Sequence, residues 1–323
     1  MFSSIISSDR ARSALIAGAA ATMLAAPTLE TEPGTRPPLP VRARSAASAT
    51  VDCSTGAKLQ AAINTAVAGD VISVQGICVE SVTVPDEAVR ITIDGQGSAT
   101  IRSPSPGAAT ITILGRNITI KRLIITGGRQ GITVLRGGSA LIDGNTIQQA
   151  ASSGIVVLQD GHARIVNNTI QSNTAYGIGI HEGSIARVGF LDNAGPVMPN
   201  LIQKNGAGGV AIIRGSSATL LGNYISENNG PGVLISGTSN GMLAGNHIDA
   251  NLGDGVIVSQ NSGVQFGDEG GIFDPPNETV IPNGGAGVRC TINASVTGIL
   301  GTLTGTDGDK RVDASCANGP KIR

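Results

Sequence analysis

A glycine followed by isoleucine or valine recurs along this chain at a fixed step, and that repeat limits the possible folds more than any other feature. The pairs start at Gly131, Gly154, Gly177, Gly209, Gly232, Gly255 and Gly287, giving steps of 23, 23, 32, 23, 23 and 32 residues. Two further columns keep the same register. One is Asn145, Asn168, Asn200, Asn223 and Asn246, then Glu278, each followed two residues on by an aliphatic: Ile147, Ile170, Ile202, Ile225, Ile248 and Val280. The other is Asn173, Asn205, Asn228, Asn251 and Asn283. A self-similar period of this length is the mark of a solenoid, in which no repeat buries its apolar face alone and each stacks on its neighbours.

Alternation places strands inside each repeat. The first and third residues after the glycine are aliphatic, as in Ile132 and Val134, Ile155 and Val157, Ile178 and Ile180. Eight residues on, the pattern returns with Ala140 and Ile142, Ala163 and Ile165, Ala186 and Val188. The Asn-x-Ile element supplies a third short strand, so each turn has three strands and three corners. Glycine is expected at a corner because a tight bend often needs φ > 0. The asparagines are expected to stack from coil to coil as amide ladders.

Residues 89–101 and 109–126 carry the same alternation upstream. Residues 56–67 break it: Leu59, Ile63 and Ala66 fall on one face at helical spacing. A short helix followed by a strand at 71–74 would cap the first coil and cover its open edge. Leucine-rich repeats share the period but not the L-x-x-L-x-L-x-x-N/C pattern, which is missing here.

The ends of the chain read differently. Arg10 and Arg12 precede a short apolar run at residues 13–26, the form of an export signal over residues 1–26. That run is too short to span a bilayer, so no membrane span is expected in the mature chain. Small-residue cleavage triplets occur at 19–21 and 47–49, which leaves the cut open. Residues 27–50, rich in Pro, Ser, Thr and Arg, read as a disordered linker, and residues 51–323 as the folded domain. Four cysteines in an exported chain suggest two disulfides. Of three pairings, Cys53–Cys78 and Cys290–Cys316 bracket the two solenoid ends, where coils fray. A metal site is the rival, but no CxxC spacing exists and His162, His181 and His247 are far apart in sequence.

The Asn-x-Ile, then Asn-x-x-x-Gly-(Ile/Val) pattern, with its CSTGAKLQAAIN…GDVISVQGIC opening, resembles the bacterial parallel β-helix repeat proteins of the pectate-lyase-like superfamily. The resemblance covers about residues 52–316. It implies an all-β chain, a single-stranded right-handed parallel β-helix with a short N-terminal capping helix. That superfamily includes pectate lyases, polygalacturonases, alginate epimerases, phage tailspikes and adhesin-like proteins, so fold does not settle function. The polygalacturonase N-T-D, D-D, G-H-G and R-I-K motifs are absent. The epimerase-like D-P-H is replaced by Asp274-Pro275-Pro276.

Two features remain for chemistry. Counting offsets from the glycine stacks Arg136, Gln159, Glu182 and Arg214 in one column and Arg164 and Arg187 in another, with His181 beside Glu182. His181, Glu182, Arg164, Arg187 and Arg214 are therefore expected near one another, facing outward. Arginines would hold a uronate carboxylate while His181 or Glu182 removes a proton. The alternative is a solvated surface on which arginines pair with acids. The other feature is a pair of nine-residue insertions, roughly 189–199 and 267–277, at the same place in the turn. They should leave the same side of the solenoid and either mark its binding face or decorate it. Their acids, Asp192, Asp268, Glu269 and Asp274, admit Ca²⁺ without matching any known loop; no cofactor is otherwise expected. The Asn-x-Ser/Thr sequons at Asn117, Asn277 and Asn293 read as incidental.

A net charge of −1 favours neither nucleic acid nor an anionic membrane. The expected function is an exported β-helix, secreted, periplasmic or at the cell surface, that binds polysaccharide. The rival is a lyase, hydrolase or epimerase acting on an acidic polysaccharide. With no tryptophan and 2% aromatic residues, few rings are available to stack on sugars.

Overall fold

The computed structural model describes residues 47–192, 195–267, 274–307 and 311–316. The apolar run at 13–26 and most of the 27–50 segment lie outside these residues. Among the described residues, parallel strands build three sheets of 11, 9 and 8 strands, and after the first two, which share the eleven-stranded sheet, successive strands of the chain go to different sheets. The coil is a right-handed parallel β-helix of about 23 residues per turn. A representative turn runs from Ile132–Leu135 in the nine-stranded sheet (sheet C) to Ser139–Asp143 in the eleven-stranded sheet (sheet A). It continues to Thr146–Gln148 in the eight-stranded sheet (sheet B).

Strands pair in register because the repeat does: Ile132 lies opposite Ile155, Ala140 opposite Ala163, and Ile147 opposite Ile170. Every second residue points inward, and the resulting columns form one core cluster that includes residues from Val51 to Cys316. The inward columns are mostly Ile, Val and Leu, β-branched or compact residues that suit a narrow pleated interior. The first strand, Ser48–Asp52, pairs with Val71–Gln75 and so begins inside the segment expected to be a linker. Ser48, Ala49 and Thr50 are exposed, so the backbone ladder holds them there without an apolar signal. The helix spans Leu59–Thr65 with Leu59 and Ile63 buried. Its N-terminal amides at Leu59 and Gln60 donate to the Glu80 carboxylate at 2.8 and 3.2 Å. Both expected disulfides form, with Cα–Cα distances of 5.1 Å for Cys53–Cys78 and 5.0 Å for Cys290–Cys316.

The recurrent glycines act through space rather than through backbone freedom. None of Gly131, Gly154, Gly177, Gly209, Gly232, Gly255 and Gly287 has positive φ. A Cβ at Gly177 would instead meet Ile202 Cγ2 at 2.5 Å, and one at Gly209 would meet Ile225 Cγ2 at 2.4 Å. The glycine is where the chain returns to sheet C across the Asn-x-Ile strand, and only hydrogen fits. The left-handed corner between sheets C and A is taken by Arg136, Gln159, Glu182 and Arg214.

The two asparagine columns are ladders. The Asn168 side-chain amide donates to the Ile142 carbonyl and to Asn200 Oδ1, each at 2.9 Å, and Asn200 Oδ1 also accepts from the Asn168 backbone N–H. The ladder passes from Asn246 to Asn277, not to Glu278 as the sequence columns suggested. A buried amide must meet its partner, so the ladder sets the register there and the aliphatic that was counted with it moves out: Val280 is 75% exposed. The sequon asparagine Asn277 is thus a buried structural residue.

Candidate functional site

The outer face of sheet A carries a long shallow groove. Along Ser139–Asp143, Ala140 and Ile142 point inward, leaving Ser139, Leu141 and Asp143 on the outside. Stacked in register, the outer positions give one column through Asn117, Ser139, His162, Ile185, Ser217 and Asn240. A second runs through Thr119, Leu141, Arg164, Arg187, Thr219 and Met242. Most of these side chains are short, so they floor two hollows of about 490 and 550 Å³ that meet at Ile185 and Arg187. Together the hollows cross eight strands, from Ile118–Lys121 to Ser295–Thr297, about 34 Å at about 4.8 Å per strand.

Two arginines meet in this groove. Arg164 lies directly opposite Arg187 on the neighbouring strand. The Arg187 guanidinium sits 5.7 Å from the centre of the Phe190 ring and donates to the Leu191 carbonyl at 3.2 Å. Phe190 opens the first inserted loop and packs on Leu221 and Ala244, so its ring is buried and holds Arg187 rather than offering a free face. Arg164 is exposed and makes no ion pair among the described residues. Two neighbouring guanidiniums with no carboxylate paired to either among the described residues form a site where an anion relieves like-charge repulsion and accepts charge-assisted hydrogen bonds.

The five residues expected to cluster divide into two groups. Arg164 and Arg187 are on sheet A. His181, Glu182 and Arg214 are at the corner between sheets C and A, where Arg214 pairs with Glu182 at 3.3 Å. The His181 ring turns back over Gly179 on sheet C, where a Cβ would stand 2.6 Å from Nε2. Nε2 is buried and has no hydrogen-bond partner. Burial, with a smaller contribution from the Arg214 charge, holds the imidazole below its ordinary pKa, and Glu182 opposes the shift. Burial of His181 thus favours the uncharged ring, in a column that holds Leu158 and Leu135 on earlier coils.

Both insertions leave the corner between sheets A and B, after Ile185–Val188 and after Gly263–Phe266. Phe266 is fully buried in the core, as its inward offset implies. Asp268, Glu269 and Phe273 lie outside the described residues. The only grouping of potential metal ligands among the described residues is Cys53, Cys78 and Glu80. Its sulfurs are joined in the disulfide, and Glu80 is engaged by the helix amides.

A further polar column was not anticipated. On sheet B, Tyr224 stacks on His247 with ring centres 4.8 Å apart, and His247 Nδ1 lies 3.6 Å from Glu278. Tyr224 and His247 both directly follow a ladder asparagine, a coincidence of register visible in the sequence. The groove itself was legible only as a run of short polar residues at alternate positions of the second strand.

A family model described as a right-handed β-helix region matches residues 69–194 and 153–305. A comparison with curated proteins finds no match. Among solved structures, a pectate lyase is similar over 85% of this chain and 80% of its own, with a TM-score of 0.52 at 14% identity. An alginate lyase from a Paenibacillus species is similar over 83% of this chain and 99% of its own, with a TM-score of 0.43 at 18% identity. The A-module of a mannuronan C-5 epimerase from Azotobacter vinelandii gives 81% and 98%, with a TM-score of 0.36 at 13% identity.

Proposed function

This chain belongs to the right-handed β-helix family, and on that premise we propose that it is an exported module that binds polysaccharide, with an acidic glycan lying along the outer face of sheet A. Arg164 stacked on Arg187 in an extended groove is the observation that carries this reading. A groove about 34 Å long over eight strands suits an extended polymer better than a small molecule. Its floor of Ser, Thr, Asn and Gln offers hydroxyls and amides to sugar hydroxyls. The bidentate guanidiniums supply an anchor for a carboxylate or sulfate. Two disulfides fit an oxidising compartment, and with the apolar run at 13–26 they support export. No described helix is long and apolar enough to cross a membrane.

The test is affinity electrophoresis or calorimetry on acidic and neutral polysaccharides with the wild-type protein and Arg164→Ala/Arg187→Ala. Binding of an acidic polymer that weakens about tenfold or more in the double variant, and weakens with salt, is the expected result. Binding unchanged by the double variant would remove sheet A as the site.

A second reading, an enzyme acting on an acidic polysaccharide, rests on the buried, unpartnered Nε2 of His181 beside Glu182 and Arg214. A neutral imidazole is competent as a base. The arginines suited to hold the substrate carboxylate lie on the next sheet, which favours the binding module. Turnover of pectate, alginate or hyaluronan, abolished by His181→Ala, would reverse that preference.

A further inference from the structure

We infer that the groove on sheet A is electrically polarised along the solenoid axis and selects a glycan with an acidic run joined to an uncharged run, bound in one direction; this rests on the polysaccharide reading above.

Six consecutive coils each place an arginine on the outside of sheet A or at the corner by which the chain enters it: Arg90, Arg116, Arg136, Arg164, Arg187 and Arg214. Arg90 and Arg116 are on adjacent coils, where the Arg90 N–H donates to the Arg116 carbonyl at 2.9 Å. Arg136 and Arg214 occupy the left-handed corner position. Arg164 and Arg187 floor the groove. The offsets differ from coil to coil, but the step along the axis is the same, about 4.8 Å. That step is close to the length of one sugar residue in an extended chain; Arg214 is paired with Glu182, and the five arginines before it, which make no ion pair among the described residues, succeed one another at roughly one per acidic sugar.

The series then stops. The next three strands of sheet A, Asn240–Ala244, Gly263–Phe266 and Ser295–Thr297, present Asn240, Met242, Gln265, Ser295 and Thr297 to the groove and no cation. The change is not local. Residues 47–214 contain 12 basic and 10 acidic residues, whereas residues 215–316 contain 3 basic and 10 acidic. Of those three, Arg289 is already engaged by Asp254, Asp307 and Asp313.

A polymer with a carboxylate on every residue would meet guanidiniums over the first coils. Over the last it would lie on neutral side chains in the field of an acidic half, where its charges lose water without gaining a partner. An uncharged run meets amides and hydroxyls there and forms ordinary hydrogen bonds. The reverse orientation puts the uncharged run over arginines and the acidic run over the acidic half. The groove therefore distinguishes the two directions of a block chain.

The experiment uses four size-matched oligosaccharides: an oligouronate, its carboxyl-reduced neutral counterpart, and two block oligomers with the acidic run at either the reducing or the non-reducing end. Binding to the full chain is followed by calorimetry. One block order is expected to bind at least about fivefold tighter than the other and than the oligouronate. Equal affinity of the two block orders, or an oligouronate that binds as tightly as the better block, would overturn the polarity. No binding by any of the four would overturn the polysaccharide reading itself. Gln265→Arg adds a cation at an exposed groove position and should not disturb folding. It is expected to raise oligouronate affinity about fivefold, the size of one exposed charge pair, and so narrow the gap. An unchanged gap would show that charge is not its cause.

Discussion

Arg289 donates from Nε to both carboxylate oxygens of Asp254, at 3.0 and 2.9 Å, and its two remaining nitrogens reach Asp313 and Asp307 at 2.8 and 3.2 Å. One guanidinium thus ties the last coil of sheet C to the segment that closes the solenoid. The hydrogen bonds that Arg289 donates to the buried Asp254 carboxylate raise its pKa well above the ordinary value. Arg289→Ala leaves Asp254 buried without its cation, and a broken pair of this kind costs about 3–5 kcal/mol. Urea unfolding should report that loss, and proteolysis should cut first within residues 300–316. A stability change below about 0.5 kcal/mol would show that the carboxylates find water instead.

Within the coils the asparagine ladders are the most sensitive polar element. The Asn223 side chain donates to the Val188 and Leu221 carbonyls and to Asn246 Oδ1, and its own oxygen accepts from Asn200. Asn223→Ala leaves several buried groups without partners at about 1–3 kcal/mol each, so a loss of about 3–5 kcal/mol is expected. Asn223→Asp should be no better, because a carboxylate cannot donate. Asn277→Ala, at the far end of the same ladder, should cost less. Equal losses at Asn223 and Asn277 would count against the ladder as the source.

These ladders also explain which parts of the fold were legible in the sequence. In a parallel stack each side chain touches its own equivalents, so columns such as Ile132, Ile155 and Ile178 appear as a plain period. The hidden parts are those the period does not govern. The insertion before Asn277 shifts the ladder by one residue, and hydrogen bonding, which a column count does not see, decides the slip. Offsets placed His181 and Arg187 close along the coil but did not say that a sheet corner separates them. Arg136, Arg164, Arg187 and Arg214 could be read from their offsets, whereas Arg90 and Arg116 escaped notice because they precede the first coil whose Gly-(Ile/Val) pair sets the count. The glycine column was found for a reason the structure replaces, close packing on Ile202 or Ile225 rather than positive φ.

His181 gives stability a pH dependence of known sign. Its folded pKa lies below the unfolded value of about 6.5, chiefly through burial, so the unfolded chain binds more protons between the two. The contribution is complete above pH 6.5 and is lost as pH falls through the folded pKa. His181→Leu places in this column the residue found at Leu135 and Leu158, removes the buried unpartnered nitrogen, and should flatten that part of the profile. Denaturant midpoints measured from pH 8 to pH 4 on both proteins test it; parallel profiles would assign the slope to other groups.

The two disulfides should act only at the ends. They close segments of 25 and 26 residues, for which the chain-entropy model gives about 3.5 kcal/mol each. In a solenoid each coil contacts only its neighbours, so loss of a terminal cross-link lowers local rather than global stability. Cys53→Ala/Cys78→Ala should speed amide exchange in Ser48–Asp52, Val71–Gln75 and Ile77–Val79 while leaving Ile155–Leu158 protected. Cys290→Ala/Cys316→Ala should do the same for Val288–Thr291 and Ser295–Thr297, and more so when combined with Arg289→Ala, since both hold the same closing segment. The central coils already bury Ile155, Ile178 and Val210 completely between neighbours on both sides. Uniform acceleration of exchange along all three sheets would instead mean that the solenoid unfolds as one unit and that its ends set the stability of the whole.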